Sequence, residues 1–181
     1  SDIDYKNPLK SFWPAAKHYE RMQLILNYFG KSRLLCDGEY AERMTGALRY
    51  WLSNDFKNPN WWHDQIGTPQ GIGDVAIRMR SVLDKETLAE VADLVSRGSM
   101  AKNKAIADEW TGANFMWGAL NTIRHALLTE DDALMRAAVE RIAKEISVDM
   151  PEGIQSDFSF FQHGPRLYSG GYGRSFTHKM S

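Results

Sequence analysis

Tyr40-Ala-Glu-Arg-Met44-Thr-Gly-Ala47-Leu48-Arg-Tyr-Trp51-Leu52 decides the fold class. Its apolar residues recur at i, i+4, i+7, i+8, i+11 and i+12, the spacing of one helix face. The same signal extends in both directions. Upstream, Pro14 opens a stretch carrying Tyr19, Met22, Ile25, Leu26 and Phe29, and Gly30 closes it. Downstream, Asn58-Pro59-Asn60 breaks the chain; a short helix is expected over 61–66, an interruption at Gly67-Thr-Pro69, and a resumption over 70–82. Asp84 reads as the N-cap of a helix carrying Leu88, Val91, Ala92 and Val95 and ending before Gly98. A helix is expected over 111–128. Thr129-Glu-Asp-Asp caps another, with Leu134, Ala138, Val139, Ile142 and Ile146 on one face. No strand pattern stands out. The expected fold is therefore all-α, one helical domain over 1–181. Six or seven helices joined by short links suggest antiparallel helical hairpins arranged as a bundle, a solenoid or an α/α toroid. No repeat of fixed length accompanies them.

Composition narrows the function classes. The chain has 181 residues, 43% hydrophobic and 12% aromatic, enough for a real core. A net charge of −1 speaks against nucleic acid and anionic membrane surfaces as partners. Cys36 stands alone, so there is no internal disulfide. No apolar run approaches the roughly 20 residues of a spanning helix. The lone cysteine leaves the redox compartment undecided, and no signal peptide is visible.

One segment departs from the helical pattern: Glu152-Gly-Ile-Gln-Ser-Asp-Phe-Ser-Phe-Phe-Gln-His163-Gly-Pro-Arg-Leu-Tyr168-Ser-Gly-Gly-Tyr172-Gly173. It is aromatic, glycine-rich and polar, a long non-periodic loop in a helical chain, where function concentrates. His163 and Tyr172 together offer a proton acceptor, a proton donor and two hydrogen-bonding heads. Tyr168 is a third candidate by spacing, and on residues alone each of the three could equally be a packing or backbone-binding group.

Two further segments carry candidate site residues. In Asn60-Trp61-Trp62 the adjacent indoles cannot share one helix face, so at least one points away from the core. Such aromatics suit the apolar faces of sugar rings, although both could be core residues near a helix start. Thr111-Gly-Ala-Asn114 begins a helix. Asn114 is either a cap or an amide held where the helix dipole favours an anion such as a carboxylate.

Other chemistries lack their signatures. His18, His63, His125 and His178 form no metal-ligand spacing. Gly71-Ile-Gly73 lacks a preceding strand and a third glycine, so it is not a dinucleotide fingerprint. Gly-x-Ser-x-Gly is absent. Asp64, Glu152 and Asp157 could in principle supply a glycoside hydrolase carboxylate pair, with nothing in the sequence to bring two of them together.

Taken in order, Asn60-Trp-Trp-His-Asp-Gln-Ile-Gly67-Thr-Pro69, Thr111-Gly-Ala-Asn114, Gln162-His163-Gly-Pro165 and Tyr172-Gly173 resemble polysaccharide lyase family 8. The family holds the chondroitin AC, hyaluronate and xanthan lyases, and the Gln-His-Gly-Pro form is most similar to the first. The resemblance runs from about residue 40 to 176 and implies an incomplete N-terminal α/α toroid followed by antiparallel β domains. This chain would then be the first part of a longer enzyme, completed by arginines and a glutamate beyond Ser181. Two positions depart from the family pattern: Phe115 stands where a basic residue is common, and Gln65 where an acid is common.

The resemblance implies β-elimination from a uronic acid in an acidic polysaccharide such as chondroitin or hyaluronan. Asn114 and His163 would bind the uronate carboxylate and stabilise the enolate. Tyr172 would take the C5 proton and return one to the glycosidic oxygen. Asn60, Trp61, Trp62, Gln162 and Arg166 would contact substrate. No metal or organic cofactor is called for. A phenol of pKa about 10 needs a nearby cation to serve as a base near neutrality; Arg166 and Arg174 are the local candidates. His163 is the rival base. Other readings are a non-catalytic glycan-binding module and a toroidal glycoside hydrolase.

Overall fold

The structure, a computed structural model, describes residues 2–178. A short 3-10 turn at Pro14–Ala16 leads into helix α1 (Lys17–Cys36), which is interrupted at Gly30, where φ is 68° and ψ is 177°. Helix α2 is Gly38–Asn54, the stretch whose apolar period was the most regular. Next come α3 (Thr68–Met79), α4 (Lys85–Ser96), the short α5 (Lys104–Asp108), α6 (Gly112–Thr129) and α7 (Asp132–Glu145). Strands β1 (Gly153–Ile154) and β2 (Phe160–Phe161) pair antiparallel, and α8 (Arg174–His178) closes the described chain. The expectation of no strand is thus corrected: two-residue strands are too short for alternation to register.

The helices pack on their chain neighbours and on next neighbours: α1 on α2 and α3, α3 on α4 and α6, α4 on α6, and α6 on α7. The larger core lies among α1 to α4. Trp51 is fully buried at its centre, with Trp13, Tyr19 and Phe56 edge-on around it at centroid separations of 5.9, 5.1 and 5.4 Å. A second cluster joins Ala113 and Met116 of α6 to Phe160 and Phe176, seating the glycine-rich segment on α6. Local caps fall where the sequence placed them. Asp84 accepts from the Thr87 amide at 2.8 Å, and Asp131 from the Leu134 amide at 2.9 Å.

Two helical expectations change. The chain does not break at Gly67-Thr-Pro69. It runs helically from Trp61 into α3 through a π-turn at His63–Gly67, in which the Thr68 N–H donates to the His63 carbonyl. The widened turn lets a residue without an N–H sit in the first turn of α3, where its donor is not needed. On α7 only Ala138 of the expected apolar face is buried, while Val139 and Ile146 are 52% and 42% exposed. The main neighbour of α7 among the described residues is α6, and two of the five expected face residues stay exposed.

Candidate active site

The site forms where the start of α6 meets the segment after α7. Thr111 is the N-cap of α6 but does not cap it with its side chain. The orphan amides of the first turn are met from a distance. Glu145, 2% exposed, accepts from the Gly112 N–H, and Gln162, 1% exposed, accepts from the Ala113 N–H at 2.8 Å. Only glycine fits at 112: φ is +57°, and a Cβ there would lie 2.4 Å from Gln162 Oε1. The Gly112 and Ala113 donors are therefore taken, and Asn114 follows them, half-buried in the same first turn.

The bond from the Ala113 N–H to the Gln162 side chain ties the backbone beside Asn114 to the residue beside His163. The segment carrying His163 is a tight structure of its own. Phe161 bridges to Leu167, and the Gln162 N–H donates to the Arg166 carbonyl at 3.1 Å. His163 and Gly164 both take positive φ, 60° and 79°, at the tip. A π-turn at Ser169–Gly173 then swings Tyr172 back over the loop, and His163 Nε2 lies 3.0 Å from the Tyr172 phenol oxygen. Either the phenol donates to a neutral imidazole nitrogen, or a ring N–H donates to the phenol oxygen.

Aromatic rings continue this pair into α6 and back to the Trp pair. Tyr172 packs against Trp117 at 5.9 Å, and Trp117 stands edge-on to Trp62 at 5.7 Å. Trp117 follows Asn114 by three residues, so the two share a side of α6. The Trp117 indole N–H donates to Ser175 Oγ at 3.1 Å, fixing the turn that carries Tyr172. Trp62 lies directly over Gly67, where a Cβ would come within 2.6 Å of its ring. Trp61 is 47% exposed and edge-on to Trp110 at 5.5 Å. One indole of the pair thus faces out while the other joins the aromatic row.

The remaining expected residues divide by role. Asn60 serves the backbone: its Oδ1 accepts from the Trp62 N–H at 3.1 Å, and its Nδ2 donates to the Lys10 carbonyl at 3.2 Å. Gln162 is turned into the protein, its amide donating to Glu152 and accepting from Ala113. Arg166 is exposed, with no side-chain partner among the described residues. Of the two family departures, Phe115 is fully buried under the Arg141 guanidinium, 4.1 Å from its ring centroid, and so does not face the site. Gln65 accepts from Asn103 Nδ2 at 3.1 Å. The three carboxylates considered for hydrolysis are separately engaged: Glu152 by Gly164 and Thr111, Asp157 by the Ser159 amide, and Asp64 by the Asn58 amide. Trp117 and Trp110 were not read from the sequence; Trp117 was legible as the i+3 neighbour of Asn114, whereas nothing local marks Trp110.

The electrostatics of Tyr172 are unfavourable for a base. Burial pushes its phenol above the ordinary value, and Tyr168 and the Glu152 carboxylate push it further. Neither Arg166 nor Arg174 offsets this.

Residues 6–179 match the model of the polysaccharide lyase family 8 N-terminal alpha-helical domain, and the chain belongs to that family. It is 34% identical to the chondroitinase-AC of Pedobacter heparinus, over 97% of this chain and 25% of that protein. It is 27% identical to the xanthan lyase of Bacillus sp. strain GL1, over 87% of this chain and 17% of that one. A solved chondroitinase AC lyase, described in enzyme–oligosaccharide complexes, matches with a TM-score of 0.86 at 32% identity, over 99% of this chain and 27% of its own. The helices described above are accordingly part of the lyase α/α toroid. The chain spans about a quarter of the length of the chondroitinase-AC it matches.

Proposed function

We propose that the protein carrying this chain cleaves a uronic-acid polysaccharide of the chondroitin or hyaluronan type by β-elimination. The observation that supports this best is the His163–Tyr172 contact at 3.0 Å, tied through Gln162 to the start of α6 and hence to Asn114. Asn114 and His163 neutralise the uronate carboxylate, which otherwise resists the second negative charge of the enolate. The Tyr172 phenolate takes the proton from C5; the electron pair forms the C4–C5 double bond as the C4–O bond breaks. The same phenol then protonates the departing oxygen, which requires proton and leaving group on one face of the ring. Trp61 and Trp62 stack on neighbouring sugars, and Arg166 holds an acidic group of the polymer.

Since Tyr172 is pushed toward its protonated form, the base needs a cation that these residues do not supply. We assign that cation to the remainder of the longer protein, whose toroid and β domains complete the cleft. No metal or organic cofactor enters the scheme. A polymer of this kind is met outside the cytoplasm, so the protein acts as a secreted or periplasmic enzyme.

The same raised phenol is the observation that favours a second reading, a helical module that binds glycans without cleaving them. The product separates the readings. The full-length protein is incubated with a panel of uronic-acid polysaccharides while ultraviolet absorbance is followed. Elimination yields an unsaturated uronate with new absorbance and consumes no water. A saturated reducing end would mean hydrolysis, and intact polymer with retained binding would mean a binding module.

A further inference from the structure

Glu152 lies at the junction of the two candidate segments. Its Oε1 accepts from the Gly164 N–H at 2.7 Å, and its Oε2 accepts from the Thr111 hydroxyl at 2.7 Å and from Gln162 Nε2. All three partners are donors. A carboxylate can accept from all of them, whereas a glutamine would turn its own N–H groups toward one. Glu152 joins no ion pair among the described residues, so these hydrogen bonds are what meet its charge. Thr111, moreover, uses its hydroxyl on Glu152 instead of capping α6. The group bound through Oε1 is the amide directly after His163, at the residue pair held in positive φ.

We propose that Glu152 is a positioning residue: its carboxylate locks the His163 tip against the start of α6 and so fixes His163 relative to Asn114. The proposal rests on the lyase reading for its kinetic consequence. Glu152 touches no substrate. It holds the loop in the one arrangement from which His163 reaches both the Tyr172 phenol and a bound carboxylate. Gln162 is its complement, one end on Glu152 and the other on the Ala113 amide.

The test exchanges the two groups in the full-length protein. In Glu152→Gln two amide donors face each other or one faces the Gly164 N–H; in Gln162→Glu two carboxylates meet. The double exchange, Glu152→Gln with Gln162→Glu, again gives an acceptor to Gly164, an acceptor to Ala113 and a donor–acceptor pair between them, with the Thr111 hydroxyl turned to accept from the new amide. The expected result is a fall in kcat of about ten- to a hundredfold in each single variant, with KM within about threefold, since the loss is one of geometry and not of sugar contact. The double exchange recovers kcat to within about threefold of the parent. A single variant with parental kcat, or a double variant no better than the singles, overturns the proposal. Should Glu152→Gln fail to fold, Thr111→Val removes one donor and leaves the carboxylate. A kcat lowered by about threefold is then expected, and an unchanged kcat overturns the proposal. Backbone hydrogen exchange over 160–168, read by mass spectrometry, should quicken in Glu152→Gln and slow again in the double exchange. That arm does not depend on turnover. A parent protein that makes no unsaturated product sinks the lyase reading, while unchanged exchange in Glu152→Gln sinks this one.

Discussion

His163 Nε2 and the Tyr172 phenol oxygen lie 3.0 Å apart with their rings nearly perpendicular, at 89°. The π-turn at Ser169–Gly173 brings the nine-residue spacing to contact, and Trp117 braces the far side of the phenol. Tyr168 stands edge-on to both rings, 5.3 Å from Tyr172 and 6.2 Å from His163. The phenol thus lies within hydrogen-bond reach of the imidazole, while burial first, and then Tyr168 and the Glu152 carboxylate, oppose a free phenolate.

Replacing Tyr172 by Phe should remove turnover and spare binding. The ring stays against Trp117, so polymer affinity is expected to hold within about threefold, while kcat falls by about a thousandfold or more, the scale of a lost general acid–base. Steady-state kinetics with a binding titration on the full-length protein checks this. Elimination that survives in Tyr172→Phe would move the role to His163 or Tyr168.

The helices were legible because apolar residues such as Met44, Leu48 and Trp51 repeat over many turns, and because Asp84 and Asp131 cap through neighbours in sequence. What escaped reading depends on contacts between distant residues. The helix passes through Thr68-Pro69 on a π-turn that is packed beneath Trp62, and no local rule signals that packing. The start of α6 is capped by Glu145 and Gln162, 33 and 49 residues away from their donors. At the site, the family resemblance grouped Asn114, His163 and Tyr172, and the contact seen among them is that of His163 with Tyr172. That Gln162 faces inward and Asn60 serves the backbone follows only from burial and hydrogen bonding in three dimensions.

The two adjacent indoles should part company on mutation. Trp61 is 47% exposed, so Trp61→Ala is expected to raise KM by about three- to tenfold with little change in melting temperature. Gly67→Ala acts on its neighbour. The added Cβ would sit 2.6 Å from the Trp62 ring, and relieving that clash should cost about 1–3 kcal/mol of stability. Kinetics and thermal melts side by side distinguish the two; a large loss of stability in Trp61→Ala would contradict its placement at the surface.

Asn114 should tolerate truncation without unfolding, because the first α6 amides are held by Glu145 and Gln162 and not by its side chain. Asn114→Ala is expected to lower kcat/KM by about a hundred- to a thousandfold, the scale of one lost donor at a developing oxyanion. Asn114→Asp should be worse, since it sets a negative charge against the uronate. Parental activity in Asn114→Asp would exclude a carboxylate as the group bound there.

Stability should fall on mild acidification before the carboxylates titrate. Burial lowers the pKa of His18, His63 and His125 below the ordinary histidine value, as the first cause in each. His18 is held between the Tyr5 hydroxyl at 2.8 Å and the Ala47 carbonyl at 2.9 Å, and His63 sits against Trp13 and Trp62. The sign follows from linkage. With folded pKa values below the unfolded one of about 6.5, the unfolded chain binds more protons as pH drops. The stability these residues contribute is present above about pH 6.5 and is lost as pH falls through their folded values. Asp37, Asp55 and Asp84 are held below the usual carboxylate range, so their contribution is lost only at still lower pH. Thermal melts should therefore show a melting temperature that declines between about pH 7 and pH 5. His18→Gln should flatten that decline even if it lowers the melting temperature at neutral pH. A profile level across this window would mean that the three imidazoles take up protons in the folded state as readily as in the unfolded chain.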